Sequence, residues 1–316
     1  METELDKLIY DWNRDGRAAR ADYRAVELDD ETLRDGLQGP SVRNPPLDVK
    51  KRLLHLMDDL GIDSADIGLP GASPQARATI VALAKETAKL RRLRPNIAIR
   101  THPDDVRAAI EVATEAGIPI ESCAFIGSSP IRRFAEDWKL DTMLVSVETS
   151  VATLVKAGLP VMFVTEDTTR ADPETLQKLY EAAIAAGARR ICVSDTTGHA
   201  TPEGVRNVLT FVRDEIVRGR SVKIDFHGHN DRGLGTINAL TATALADRVY
   251  SAVPASVLGR EQRIEVGPMS GESNVVFWLE SRGIEATRER IDRIFNAAKA
   301  ANQLLTESEL RRLAES

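Results

Sequence analysis

The 316-residue chain is poor in cysteine, histidine and aromatics: two Cys, five His and 4% Phe, Trp and Tyr. Cys123 and Cys192 lie far apart in apolar, strand-like runs. That excludes a disulfide framework or a CxxC redox pair, and it points to buried small hydrophobes in a reducing compartment, hence a cytoplasmic protein. An apolar run long enough to cross a bilayer is also missing, and Met1-Glu2-Thr3-Glu4 lacks a basic-then-apolar export pattern, so no membrane association is expected. Positive charge is not in excess: the formal net charge is -6, which argues against a nucleic-acid partner. The basic cluster Lys89, Arg91, Arg92 and Arg94 reads as the solvated, dipole-favoured end of a helix. No G-x-G-x-x-G follows the first strand-like run, and Gly233-x-Gly235 is too short to be one.

What is present is a rhythm. Short β-favouring runs occupy 25–28, 65–69, 97–100, 122–126, 161–164, 191–193, 222–226 and 249–253. Amphipathic, Ala-rich helical stretches lie between them near 47–60, 74–91, 103–116, 141–157, 173–186, 202–218 and 236–246. Pro46, Pro74, Pro103, Pro173 and Pro202 mark helix starts, and Gly61, Gly117, Gly158, Gly187 and Gly219 mark helix ends. About eight such β/α units without a break in composition predict a (β/α)8 TIM barrel over 23–283. A doubly wound open sheet would close with fewer strands and carry a nucleotide loop. Leu5, Leu8, Ile9 and Trp12 predict an N-terminal helical extension within 1–22, and 284–316 reads as a helical tail, Ile284–Leu304 and Glu307–Ala314. Its apolar positions (Ile291, Ile294, Phe295, Leu304, Leu305) favour a homodimer.

Chemistry in such a barrel sits at the carboxyl ends of the strands. Those ends hold Asp29 to Gln38, Asp66, Arg100-Thr101-His102, Gly127-Ser128-Ser129, Glu166-Asp167, Asp195-Thr196, and His227-Gly228-His229. A loop with Gly271-Glu272-Ser273-Asn274 follows the eighth run. Residues two apart on a strand share a face, so His227 and His229 present two imidazoles side by side, a divalent-metal half-site. Each feature alone reads as a helix cap, a surface ion pair or a hydrogen-bonded histidine pair. Their convergence around one His-x-His does not. His199 reads as a helix-entry residue and His55 as structural.

With Leu33-Arg34-Asp35-Gly36-Leu37-Gln38 and His227-Gly228-His229-Asn230-Asp231 both in hand, the chain resembles the DRE-TIM metallolyases over roughly 23–280. These are the isopropylmalate synthase, homocitrate synthase and hydroxymethylglutaryl-CoA lyase superfamily. The resemblance implies Asp35, His227, His229 and Asn274 as metal ligands. It implies Arg34 at the substrate oxygen that becomes an enolate, and Gln38, Ser128 and Thr196 as further substrate contacts. Asp66 stands where the family usually has Glu, and Glu166 at an acidic position ending the fifth strand. Ile126–Pro130 and Asp195–Pro202 look like the synthase branch, whereas Leu37 is the lyase-like choice. The synthases' Gly-x-Gly-Glu-Arg-x-Gly-Asn loop is absent in that form. Only Leu258-Gly259-Arg260-Glu261 and Gly271-Glu272-Ser273-Asn274 correspond.

The implied reaction joins an acyl-CoA, acetyl-CoA first, to a 2-oxo acid; cleavage of a hydroxyacyl-CoA by a lyase on the same site is the alternative. The metal polarises the ketone, and permanently charged Arg34 stabilises the developing oxyanion. Glu166, Asp66 and His102 are the candidate bases. Mg2+ or Mn2+ suits the mixed oxygen and nitrogen donors, with Zn2+ as a further option. Leu69, Phe125, Ile126 and His102 are the expected pocket for the 2-oxo acid side chain. A two-His-one-carboxylate iron oxygenase and a non-catalytic paralogue are the rival classes.

Overall fold

The β/α rhythm closes on itself. The structure, a computed structural model, describes residues 26–39, 42–252 and 265–315. Its strands are β1 (Glu27–Asp30), β2 (Ser64–Asp66), β3 (Arg94–Arg100), β4 (Glu121–Gly127), β5 (Val161–Glu166), β6 (Arg190–Asp195), β7 (Lys223–His229) and β8 (Arg248–Ala252). All pair in parallel and in sequence order, and β8 returns to β1 through the register Glu27↔Arg248 and Leu28↔Val249. Outside them run α1 (Leu47–Leu60), α2 (Pro74–Thr87), α3 (Pro103–Ala116), α4 (Pro130–Ala135), α5 (Leu140–Lys156), α6 (Pro173–Ala186), α7 (Pro202–Phe211) and α8 (Gly235–Ala242). Local chemistry sets the helix starts. Ser73, Ser129, Asp172 and Thr201 each accept a backbone N–H from the first turn that follows, with proline at the next position.

Alternation along the strands separates two interiors. Ile97 and Ile99, Ala124 and Ile126, Phe163, Ile191 and Val193, and Ile224 and Phe226 face outward into the main core beneath the helices. The residues between them face the barrel axis. At its lower end Arg190 lies 2.7 Å from Asp225, 2.7 Å from Glu27 and 3.4 Å from Glu121. Above that sit Cys123, Met162 and Cys192, both thiols buried and neither in a disulfide. Asp29 accepts from Ser64 Oγ at 2.5 Å and from Asn96 Nδ2 at 2.8 Å. On the same inward face of β7, His227 and His229 follow Asp225 toward the mouth.

Several boundaries differ from the sequence reading. β2 ends at Asp66 rather than Leu69, because Gly68 takes φ +140° and its N–H turns back to the Asp66 carboxylate at 2.9 Å. α2 stops at Thr87 rather than 91, because Asp58 on α1 accepts the backbone N–H groups of Arg91, Arg92 and Leu93. The basic cluster there is solvated, as read, and is also paired with acidic neighbours. Arg91 pairs with Asp58 and Asp59, and Arg92 with Asp63. After α7 the chain continues as a π-helical turn over Val212–Val217.

Three further helices follow the barrel: α9 (Glu272–Glu280), α10 (Arg288–Ala300) and α11 (Glu307–Glu315). Val275, Trp278, Leu279, Ile294, Ala298, Leu310 and Ala314 bury their side chains together, a small core of its own. Arg282 stacks on the Trp278 ring at 4.4 Å and pairs with Glu307 at 2.8 Å. α4 and α9 are helices where the sequence showed loops. The segment 1–22 and the Leu258–Glu261 run lie outside the described residues.

Candidate active site

The turn after β1 sets out the first half of the site. The Glu31 carbonyl accepts from the N–H groups of Arg34 (3.2 Å) and Gly36 (2.9 Å), and Asp30 Oδ1 accepts from Thr32 N at 2.8 Å. This tight loop lifts Arg34 and Asp35 over the mouth while Leu33 stays buried. β7 supplies the second half. Asp35 Oδ2 lies 3.4 Å from His229 Nε2 and 3.7 Å from His227 Nε2, and the two rings are 4.7 Å apart. Two donors bound to one divalent ion at about 2.0–2.2 Å stand roughly 3–4 Å apart, so the three side chains fit a single cation. Protonation agrees. Burial lowers the pKa of both histidines, helped at His227 by His229 and Arg34. At His229 Asp35 opposes the shift and Arg34 adds to it. Neutral imidazoles are the ligand form.

Arg34 is gripped tightly. Its Nε donates to Asp66 Oδ2 at 3.1 Å, its Nη1 to Asp35 Oδ1 at 3.2 Å, and its Nη2 lies 2.5 Å from Glu31 Oε2. Burial pushes the Glu31 carboxyl well up and that of Asp66 up to about 7, with Arg34 opposing both shifts. Four carboxylates (Asp29, Glu31, Asp35, Asp66) thus crowd one guanidinium, and a divalent cation at Asp35 would relieve the excess negative charge. Asp231 adds to it. That side chain is 4% exposed and its carboxyl is raised to about 7 by burial and by the charges of Asp195 and Asp35.

The other expected residues are placed as follows. Glu166 follows Met162 and Val164 on the inward face of β5, a third exposed. Burial raises its pKa, and Arg132, at 3.9 Å, opposes the shift. The Ser128 hydroxyl is buried and donates to the Glu166 carbonyl at 2.9 Å, while Thr196 Oγ1 accepts from Asp167 N at 2.8 Å. Asp195 is fully buried, holding the loop after β6 through Thr169 Oγ1 and the N–H groups of His199 and Ala200. His102 caps α3, its Nδ1 accepting from Asp104 N at 3.3 Å, with the side chain more than half exposed. The Asn274 amide serves the start of α9, its oxygen accepting from Gly271 N and its nitrogen donating to Glu265 O. Ile126 packs under the helices and not at the mouth, whereas Leu69 lines a cavity.

That cavity, about 910 Å3, opens between the β1 and β2 ends, α1, α2 and the tail. Arg34 and Gln38 lie along it, with Leu33, Leu37, Ile67 and Ile80 as apolar wall. Lys50 lines it from the first turn of α1. It is only 8% exposed, its ammonium has no ion pair or hydrogen bond among the described residues, and burial lowers its pKa. From the tail comes Lys299, donating to the Pro268 carbonyl at 3.0 Å, its pKa lowered by burial and by Arg100. Sequence reasoning passed over Lys50, Glu31 and Asp231. Glu31 and Asp231 lay inside quoted motifs. Nothing in Lys50-Lys51-Arg52 marks which of three basic residues turns inward.

A (β/α)8 barrel with a carboxylate and two imidazoles converging at its mouth defines a class, and comparison with known proteins assigns the family. The chain matches the HMGL-like family over residues 25–260 and belongs to it, within the DRE-TIM metallolyase superfamily. It is 30% identical over 258 residues to the mitochondrial homocitrate synthase of Saccharomyces cerevisiae, covering 79% of this chain and 54% of that protein. It is 27% identical over 220 residues to the 2-isopropylmalate synthase of Brevibacillus brevis, covering 69% of this chain and 42% of that one. The chain thus spans about half the length of the curated relatives it matches. Among solved structures, the HMG-CoA lyase of Bacillus subtilis superposes with a TM-score of 0.58 at 20% identity, over 93% of this chain and 99% of that one. No described helix is long and apolar enough to cross a membrane.

Proposed function

We propose that this chain catalyses the divalent-metal-dependent, Claisen-type condensation of an acyl-CoA, acetyl-CoA first, with a 2-oxo acid, water then cleaving the thioester of the adduct to release CoA. The observation that carries the reading is the meeting of Asp35, His227 and His229 within 4.8 Å of one another, with Arg34 bonded to Asp35. Asp35, His227 and His229 would hold the cation, Mg2+ or Mn2+ by the character of the donors. When bound, it would supply Lewis-acid polarisation of the ketone acceptor.

The chain's own residues carry the rest. Arg34 cannot lose its proton, and Asp66 and Asp35 fix its guanidinium at the mouth. It therefore offers standing positive charge to an oxygen that gains negative charge as the acyl α-proton leaves. Glu166 faces inward, is partly open, and has a pKa raised by burial, the properties of a base for that proton. Asp66 is 1% exposed and both its oxygens are engaged, by Arg34 and by Gly68 N, so its part is to hold Arg34. The cavity beside Arg34 has the volume and the apolar wall that a pantetheine-type arm needs, with Lys50 and Lys299 as partners for anionic groups. The homocitrate and 2-isopropylmalate synthases it resembles in sequence favour joining over cleavage.

The test is a coupled CoA-release screen of the metal-loaded protein with acetyl-CoA across 2-oxo acids, with and without chelator. Chelator-sensitive CoA release dependent on the 2-oxo acid is the expected result. Release only from hydroxyacyl-CoA substrates would replace condensation with cleavage. Inertness toward every pair by metal-replete protein would overturn the reading.

A further inference from the structure

Arg34 has three guanidinium nitrogens, and each faces a different carboxylate. Asp66 takes Nε at 3.1 Å and Asp35 takes Nη1 at 3.2 Å, as expected of residues at the ends of neighbouring strands. The third is Glu31, whose Oε2 lies 2.5 Å from Nη2 as an ion pair outside hydrogen-bond geometry. This contact is built in: the Glu31 and Arg34 side chains are only 12% and 16% exposed, and the Glu31 carbonyl accepts the Arg34 N–H from below. A planar group held at one nitrogen can pivot, and held at two it can still tilt about the line joining them. A third contact off that line fixes its plane. Asp35 also belongs to the cluster with His227 and His229, so its oxygens serve two demands. Among the described residues the Glu31 carboxylate pairs with Arg34 alone.

We infer that Glu31 is a positioning residue: through its ion pair with Nη2 it sets the plane in which the Arg34 guanidinium meets the reacting oxygen. The role of Arg34 toward that oxygen rests on the condensation reading above; the grip on the guanidinium does not. A displacement of about 1 Å at a reacting group can cost on the order of a hundredfold in rate. Loss of Glu31 therefore acts on kcat and leaves substrate affinity nearly alone.

Two measurements test this. In the first, 15N NMR of the arginine side chains reads rotation about the Arg34 Cζ–Nη bonds, without any need for turnover. Slow rotation is expected in the unmodified protein and fast, averaged rotation in Glu31→Ala. Equal rotation in both would overturn the inference. In the second, Glu31→Ala is expected to lower kcat by roughly ten- to a hundredfold, with KM for the 2-oxo acid and metal content little changed. In an Arg34→Lys background the same change should cost less than about twofold, since residues that act through one another are not additive. Multiplicative losses would make Glu31 independent of Arg34 and refute the inference. Glu31→Gln, isosteric and keeping one acceptor oxygen, serves if the alanine variant fails to fold, and is expected to speed Arg34 Cζ–Nη rotation and lower kcat relative to the unmodified protein; both unchanged would overturn the inference. Absence of turnover in the unmodified protein would count against condensation alone, and the NMR result would still decide the role of Glu31.

Discussion

An ammonium set in a cavity wall without a partner is a liability in the free protein and an asset only if a ligand completes it. Lys50 therefore yields a prediction with two signs. Lys50→Met keeps the length and apolar stem of the side chain and removes the charge. Replacing a buried ion pair by apolar groups of similar volume is neutral or stabilising by about 1–4 kcal/mol, and Lys50, 8% exposed with its ammonium open to the cavity and unpaired among the described residues, belongs toward the lower half of that range. At about 2–4 °C per kcal/mol for domains of 150–250 residues, and less for a longer chain, Tm should rise by roughly 2–6 °C. The gain should shrink as pH rises toward 10.5, the ordinary lysine value. Burial lowers the native pKa, so between the two values the unfolded chain holds more protons and the stability of the unmodified protein climbs. The same substitution removes a charge-assisted hydrogen bond to an anionic ligand, worth about 1.5–3 kcal/mol, or roughly ten- to a hundredfold in Kd. Differential scanning fluorimetry and calorimetric titration with CoA check both. A variant that is less stable, or that binds CoA as tightly as the unmodified protein, would refute the assignment of Lys50 to the ligand.

Two more predictions follow from the barrel axis and the mouth. Asp225→Asn strips a fully buried carboxylate from Arg190, leaves the guanidinium partly uncompensated, and should cost about 3–5 kcal/mol in urea denaturation with the CD spectrum unchanged. Glu166 must lose its proton to act as a base, so kcat/KM should rise with pH through a pKa above the ordinary 4.5, and Glu166→Gln should remove that limb together with most of the turnover.

Much of the fold was legible because a strand's period of two and a helix's of 3.6 are written in the order of residues. The inward pointing of His227 and His229 follows from their spacing alone, and their meeting with Asp35 follows from barrel closure, since β1 and β7 both flank β8. What the sequence concealed depends on groups distant along the chain. The end of α2 is set by Asp58, some thirty residues earlier, whose carboxylate collects three backbone N–H groups. α9 was hidden by the glycine- and serine-rich run before it, read as loop although the run supplies the helix cap. Glu31, Lys50 and Asp231 are charged, and charge in a sequence signals solvent until a tertiary neighbour shows otherwise. His102 at the end of β3 and Asn274 in the first turn of α9 illustrate the reverse, polar residues read as site groups whose side chains cap helices.

The claim at the centre is that Asp35, His227 and His229 share one cation, and Mn2+ titration read by thermal shift and by metal analysis after gel filtration tests it most directly. At about a hundredfold excess over Kd, a bound ion should stabilise the unmodified protein by about 2.7 kcal/mol. Asp35→Ala and His229→Ala should abolish both the shift and retention of the metal, while Arg34→Ala keeps both. An undiminished Mn2+ shift with stoichiometric metal in either ligand variant would contradict the account.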